Sequence, residues 1–280
     1  LSCGEERSNL VENLEDGSAR EQRHFGTYRR RNRVAKISDL KLAYQVFVKA
    51  YPYRRVDWRP GARLTKSLHE ARIAVVTTAA YFRPDQPPFD TSIRGGDYSY
   101  RVIPFDADLS ALRVAHRSDA FDIRGITSDK NLALPLDRLN SLAKDGVIGS
   151  VAPRHFSFMG SITAPGRLIA NTAPEVARML LEDAVDAVLL TPVCPMCHQS
   201  AGLIQSIIEK AGIPTTSVTV LREITERVAP PRALFVAFPL GFPLGAPSDP
   251  TLQRWIILAA LALLTESVPP AIMRDFEAAR

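Results

Sequence analysis

Val185-Asp-Ala-Val-Leu-Leu-Thr-Pro-Val-Cys194-Pro-Met-Cys197-His198, continued by Gln-Ser-Ala-Gly-Leu-Ile-Gln-Ser-Ile-Ile-Glu-Lys-Ala-Gly212, decides the fold. The first half is a short apolar run of the kind that forms a strand buried on both faces. The second half carries apolar residues at helical spacing, stops at Gly212 and has Pro214 beyond it. A strand that enters a helix through one tight turn is half of a βαβ unit. A thiol at that turn meets the unpaired N–H groups and dipole of the helix start, which favour the thiolate.

Working outward, the same alternation continues. Pro174 to Asp183 predicts a helix with proline near its first turn. Thr215 to Leu221 and Ala233 to Phe238 predict strands, and Leu252 to Leu264 a helix. Upstream, Arg72 to Thr78 is a β-branched core strand and Tyr98 to Ile103 another. Leu136 to Leu142 is a helix ending near Gly146, and Val147 to Val151 a short strand. Leu40, Tyr44, Phe47, Val48 and Tyr51 fall on one face of a further helix. The pattern predicts an α/β fold, a mainly parallel sheet with helices on both faces in Rossmann-like or flavodoxin-like layers. Such sheets hold ligands outside the carboxyl ends of their strands, and Cys194 falls on that edge.

We expect a flexible basic N-terminal arm over residues 1–36 and a single α/β domain over 37–280. The net charge of +5 is concentrated in Arg29–Arg31 with Arg33, and in Arg54, Arg55 and Arg59. No zinc-finger or RNA-recognition signature accompanies it, so it reads as a solvated face and no nucleic-acid partner is expected. The longest apolar run, Trp255 to Leu264, is about half of the ~20 residues a membrane span needs, so no membrane partner is expected either. The polar, acidic first residues do not read as a signal peptide. Only three cysteines occur, and Cys3 lies apart from the pair. That usage suits a reducing cytoplasm rather than a disulfide-stapled secreted scaffold.

The Cys194/Cys197 pair has four readings, ranked in this order. It is a redox or nucleophilic pair, with Cys194 the thiolate and Cys197 resolving it. It is two buried thiols filling a strand–helix turn. It is half of a zinc site, although no second CxxC or histidine pair completes four ligands. Last, Cys194 to His198 matches the CxxCH of covalent haem attachment. Elsewhere, Arg154 can hold a carboxylate through its paired donors, and His155 beside it is either a site residue or a packed loop histidine. Asp119, Asp122, Asp129 and Asp137, with His116, match no metal spacing and read as turn residues and helix caps. Gly241 and Gly245, in Leu240 to Pro247, permit close backbone approach but form neither a dinucleotide fingerprint nor a P-loop.

Several of these segments occur in one order: Asp129-Lys-Asn131, Pro135 to Leu139, Gly146-Val-Ile-Gly149, Phe158-Met-Gly160, Val185 to Thr191, the cysteine turn, Ala211-Gly-Ile-Pro214, Pro231-Arg232-Ala and Phe238-Pro-Leu-Gly241. Together, over roughly residues 70 to 262, they resemble the selenoprotein B family of the glycine, sarcosine, betaine and D-proline reductases, most nearly its D-proline reductase branch. The resemblance implies a selenocysteine at the position of Cys194 and a cysteine at that of Cys197. It implies that the selenolate attacks a carbon of an amine held as a Schiff base on a pyruvoyl group carried by another polypeptide. Reductive C–N cleavage then leaves a selenenyl-sulfide to be reduced. Glycine-reductase members often carry a further cysteine where this chain has Ala201.

Sulfur stands here where that family has selenium. The expectation is therefore a thiol-based oxidoreductase with catalytic Cys194, Cys197 and His198. Arg154, His155 and Gly160 are the expected substrate-binding residues, and no metal or cofactor of its own is expected. Its partners are a small-molecule substrate, a partner subunit or thioredoxin-like reductant, and further copies of itself in a homo-oligomer. The second reading is a non-catalytic subunit or small-ligand-binding module of a reductase complex.

Overall fold

Five of the six side chains of Arg72–Thr77 are buried, and this strand, β1, lies in the interior of the main sheet. The computed structural model describes residues 34–56, 61–266 and 271–277. Cys3, Arg29–Arg31, Arg33, Trp58, Arg59 and nearly all of the expected arm lie outside the described residues. The remaining strands are β2 (Tyr81–Phe82), β3 (Tyr100–Pro104), β4 (Arg113–Val114), β5 (Ser150–Val151), β6 (Arg154–Phe158), β7 (Ala187–Thr191), β8 (Thr215–Thr219), β9 (Arg232–Phe235) and β10 (Ile272–Asp275). The main sheet runs β10-β9-β8-β7-β1-β6-β3, with β5 also paired to β1, and β2 pairs with β4 separately. Among the described residues only β3, antiparallel to β6, breaks the parallel pattern of the main sheet.

The helices are α1 (Leu42–Ala50), α2 (Ile123–Ser128), α3 (Leu136–Lys144), α4 (Ala173–Glu182), α5 (Pro195–Lys210), α6 (Arg222–Val228) and α7 (Pro250–Ala262). Alternate residues of the strands serve opposite faces, as the two-residue period requires. Ile73, Val75 and Leu189 pack with Leu139 and Leu142 of α3 and Ile256 and Leu261 of α7. Ala74, Val76, Val188 and Leu190 pack with Val176 and Leu180 of α4 and Ile204 and Ile208 of α5. The sheet is thus covered on both faces, as the sequence predicts. Among the described residues no helix is long and apolar enough to cross a membrane.

Two local features differ from the expected elements. Arg154–Phe158 is a core strand, not a loop beyond one. β5 and β6 follow the same edge of β1 but are separated by Ala152 and Pro153. Proline cannot donate to a ladder, and across this break the Val75 N–H is taken by Nδ1 of His155 at 2.9 Å. The helix of Pro174 also begins earlier, because a π-helical stretch, Leu168–Thr172, runs directly into α4. A proline just inside a continuing helix removes one N–H donor, which suits a widened turn.

Candidate functional site

The chain order departs from β1 in both directions, to β6 on one side and β7 on the other. The crevice of such a sheet lies at the carboxyl ends of the strands where the order switches. Here those ends are Thr78 after β1, Gly160 after β6 and the cysteine turn after β7. Thr78 N–H donates to the Thr191 carbonyl (3.3 Å) and Ala80 N–H to that of Phe158 (2.9 Å), which ties the three ends together.

Cys194 is the N-cap of α5, with extended backbone, and Pro195 occupies the first turn, where its missing N–H costs nothing. The Cys197 N–H donates to Cys194 Sγ at 3.2 Å. The two cysteines form a disulfide, with Cα atoms 4.9 Å apart, and both are fully buried. Gly160, at φ +71, passes so close that a β-carbon there would meet Thr78 and lie 2.9 Å from Cys197 Sγ. Its carbonyl accepts from the Ser200 hydroxyl of α5 at 2.7 Å. Gly160 therefore packs directly against the cysteine turn.

His116, read from sequence only as part of a polar stretch, reaches these sulfurs from outside the turn. The β2–β4 pair carries it over the strand ends, where Nε2 lies 3.4 Å from Cys197 Sγ. Nδ1 accepts the Ser118 N–H at 3.0 Å, so the ring proton is on Nε2, the nitrogen that faces Cys197 Sγ; the Thr78 backbone also hydrogen-bonds the imidazole. Phe121 holds the ring edge-on at 4.8 Å between centroids. Burial pushes the imidazole down to about 3, so the ring is neutral at physiological pH.

His198 is buried, and both ring nitrogens engage backbone: Nδ1 with the Cys194 carbonyl at 2.7 Å, and Nε2 with the Val220 N–H at 3.3 Å. It braces the turn against the end of β8, and burial lowers its pKa to about 4. The same contacts occupy the nitrogen that CxxCH haem attachment would use. His155 is fully buried in β6, pushed by burial to about 3. Arg154 opens β6, at the end of the strand opposite Gly160. Its guanidinium forks onto Asp183 at 2.7 and 2.8 Å. The structure does not bring Arg154 together with the cysteines. Asp122 and Asp129 cap short helices, Asp119 pairs with Lys41, and Asp137 bonds Asn131. Gly241 donates to the Val193 carbonyl at 3.0 Å, and its close approach is to the Asp122 carbonyl, where a β-carbon would lie at 2.2 Å.

A cavity of about 360 Å³ opens beside the turn. Phe47 of α1, Arg117, Ser118, Ser161, Pro195 and Met196 line it. The segment after α1 closes over the start of α5, where Gln199 bonds the Tyr51 hydroxyl and the Arg54 N–H. Arg117 is exposed, donates to the Ile93 carbonyl at 2.8 Å and has no carboxylate partner among the described residues.

Nε2 of His116 and the two sulfurs lie within 4.8 Å of one another, a donor set of the type zinc accepts. A ligating imidazole presents a bare nitrogen to the metal and donates from the other. His116 has the reverse arrangement, so a metal at this site would require the ring to give up the Ser118 N–H.

Residues 10–193 match the family described as glycine/sarcosine/betaine reductase selenoprotein B. That match starts well before the segments of the sequence resemblance and ends one residue short of Cys194. The D-proline reductase subunit gamma of Acetoanaerobium sticklandii is 36% identical over 214 residues, covering 76% of this chain and 85% of that protein. The sarcosine reductase complex component B subunit beta of Peptoclostridium acidaminophilum is 29% identical, covering 81% and 53%. The glycine reductase complex component B subunit gamma of Symbiobacterium thermophilum is 28% identical, covering 87% and 58%. The chain thus spans little more than half the length of the latter two. No solved structure matches.

Proposed function

Because this chain belongs to the glycine/sarcosine/betaine reductase selenoprotein B family, we propose that it is the thiol-bearing subunit of a cytoplasmic reductase complex acting on a small amine or amino-acid-derived substrate. The observation that carries this reading is the Cys194–Cys197 disulfide at a helix N-terminus, on the ligand edge of the sheet and beside a cavity.

The reduced pair would work in two displacements. The Cys194 thiolate attacks the substrate carbon, a C–S bond forms, and the C–N bond breaks with its electron pair leaving on nitrogen, which takes a proton. The Cys197 thiolate then attacks Cys194 Sγ. The S–S bond forms, the C–S pair returns to carbon, and carbon takes a proton. The product is reduced by two electrons and the pair is left as the disulfide, which an external dithiol reopens. His198 positions the Cys194 backbone in this scheme, and Gly160 leaves room for Cys197.

A second reading has its own observation. Both sulfurs are fully buried, which suits a non-catalytic subunit whose disulfide closes the turn. Assay of the assembled complex with its amine substrate separates the two. Loss of turnover in both Cys194→Ser and Cys197→Ser, with complex assembly intact, supports the redox role; full turnover in either variant rejects it.

A further inference from the structure

We propose that His116 is a catalytic hydrogen-bond donor to the resolving sulfur, holding Cys197 as a thiolate whenever the disulfide opens or closes. The inference rests on the redox reading of the pair and adds a residue that lies outside the Cys-x-x-Cys motif. Four contacts define the ring. Nδ1 is committed as an acceptor to the Ser118 N–H, Phe121 packs edge-on against it, Nε2 is 3.4 Å from Cys197 Sγ, and the Thr78 backbone also hydrogen-bonds the imidazole. An imidazole so arranged is a donor and not a base, with Nε2–H available to the sulfur when charge appears there.

Donation matters most where charge appears on sulfur. In reopening, a thiolate of the dithiol reductant attacks Cys194 Sγ, a mixed disulfide forms, and the electron pair of the broken bond leaves on Cys197. The second reductant thiolate then releases Cys194 and departs as the oxidised dithiol. In closing, the Cys197 thiolate is the attacking group. One donor serves both directions, because they share one bond and one charge. Cys194 has a separate donor in the Cys197 N–H, so each sulfur of the pair carries its own. A hydrogen bond to a charged group contributes about 1.5–3 kcal/mol, or roughly ten- to a hundredfold in rate.

The test is the rate at which dithiothreitol opens the disulfide in the full chain, followed by alkylation and mass spectrometry, in wild type, His116→Leu and His116→Gln. Burial slows reagent access in every variant alike, so the comparison is relative. The expected result is opening slowed about ten- to a hundredfold in His116→Leu, with much of the rate restored in His116→Gln, whose amide N–H replaces Nε2–H. In the Cys194→Ser background, His116→Leu should also raise the pH at which Cys197 becomes reactive, which loss of packing alone would not do. Wild-type opening and an unmoved Cys197 profile in a folded His116→Leu protein would overturn the proposal. So would equal slowing by leucine and glutamine. None of these measurements uses turnover, so a redox-silent but chemically normal disulfide would reject the proposed function and leave the His116 result readable.

Discussion

Gly160 and Cys197 meet without room for one more carbon: a β-carbon on Gly160 would lie 2.9 Å from Cys197 Sγ and closer still to Thr78. The residue also holds φ +71, a conformation that costs an L side chain energy. Gly160→Ala should therefore destabilise the protein by about 1–3 kcal/mol, from overpacking and backbone strain together. Because β6 delivers Gly160 to the turn, the same substitution should push Cys197 away from Cys194 and lower the disulfide fraction at a fixed dithiol ratio. Urea unfolding checks the first effect and alkylation at a set redox poise the second. An unchanged midpoint and disulfide fraction would show that the turn is softer than its packing implies.

Acid should weaken the fold through its buried imidazoles. Burial pushes His155 down to about 3 and His198 to about 4, against 6.5 for the free side chain. Between those values and 6.5 the unfolded chain binds protons that the native chain excludes. This contribution to stability is therefore complete above pH 6.5 and is lost as pH falls toward the native values. Each such histidine contributes a slope of up to about 1.4 kcal/mol per pH unit in that window. Urea unfolding between pH 7 and pH 5 should show the decline. His155→Asn, whose amide oxygen can accept the Val75 N–H in place of Nδ1, should flatten it by about one proton's worth. An equal slope in wild type and variant would mean that His155 is not a buried neutral group.

The parts of this site that are legible in sequence are those encoded locally. β7 and α5 announce themselves through an apolar run, Pro195 at the helix start and Gly212 at its stop, and together they place Cys194 at the sheet's ligand edge. β6 is hidden because Pro153 interrupts its pairing with β1 and makes Arg154–Phe158 read as a loop. Arg154 then reads as a ligand residue, although its place at the opening of β6 turns it to Asp183. His116 is invisible for a different reason. It lies 81 positions from Cys197, and only the β2–β4 pairing, two residues per strand, swings it over the turn. No spacing rule spans such a distance. The family resemblance supplies roles for the two cysteines but says nothing of the histidine beside them.

Arg117 gives the last prediction. It lines the cavity beside Pro195 and Met196, it immediately follows His116, and its guanidinium uses one nitrogen on the Ile93 carbonyl with no carboxylate beside it among the described residues. A solvent-exposed arginine with unused paired donors at the mouth of a cavity can take a planar anion in two parallel hydrogen bonds. An amino-acid-derived substrate brings such an anion in its carboxylate. Arg117→Met should raise KM about ten- to a hundredfold, the scale of a lost charge-assisted hydrogen bond, while kcat falls much less, because the contact exists before and during the reaction alike. Arg117→Lys should recover part of the loss, since lysine keeps the charge and gives up the fork. Substrates without a carboxylate should be indifferent to both changes. Steady-state kinetics on the assembled complex reads all three. A fall in kcat at constant KM would move Arg117 out of ground-state binding, and an effect equal for charged and uncharged substrates would place the anion elsewhere.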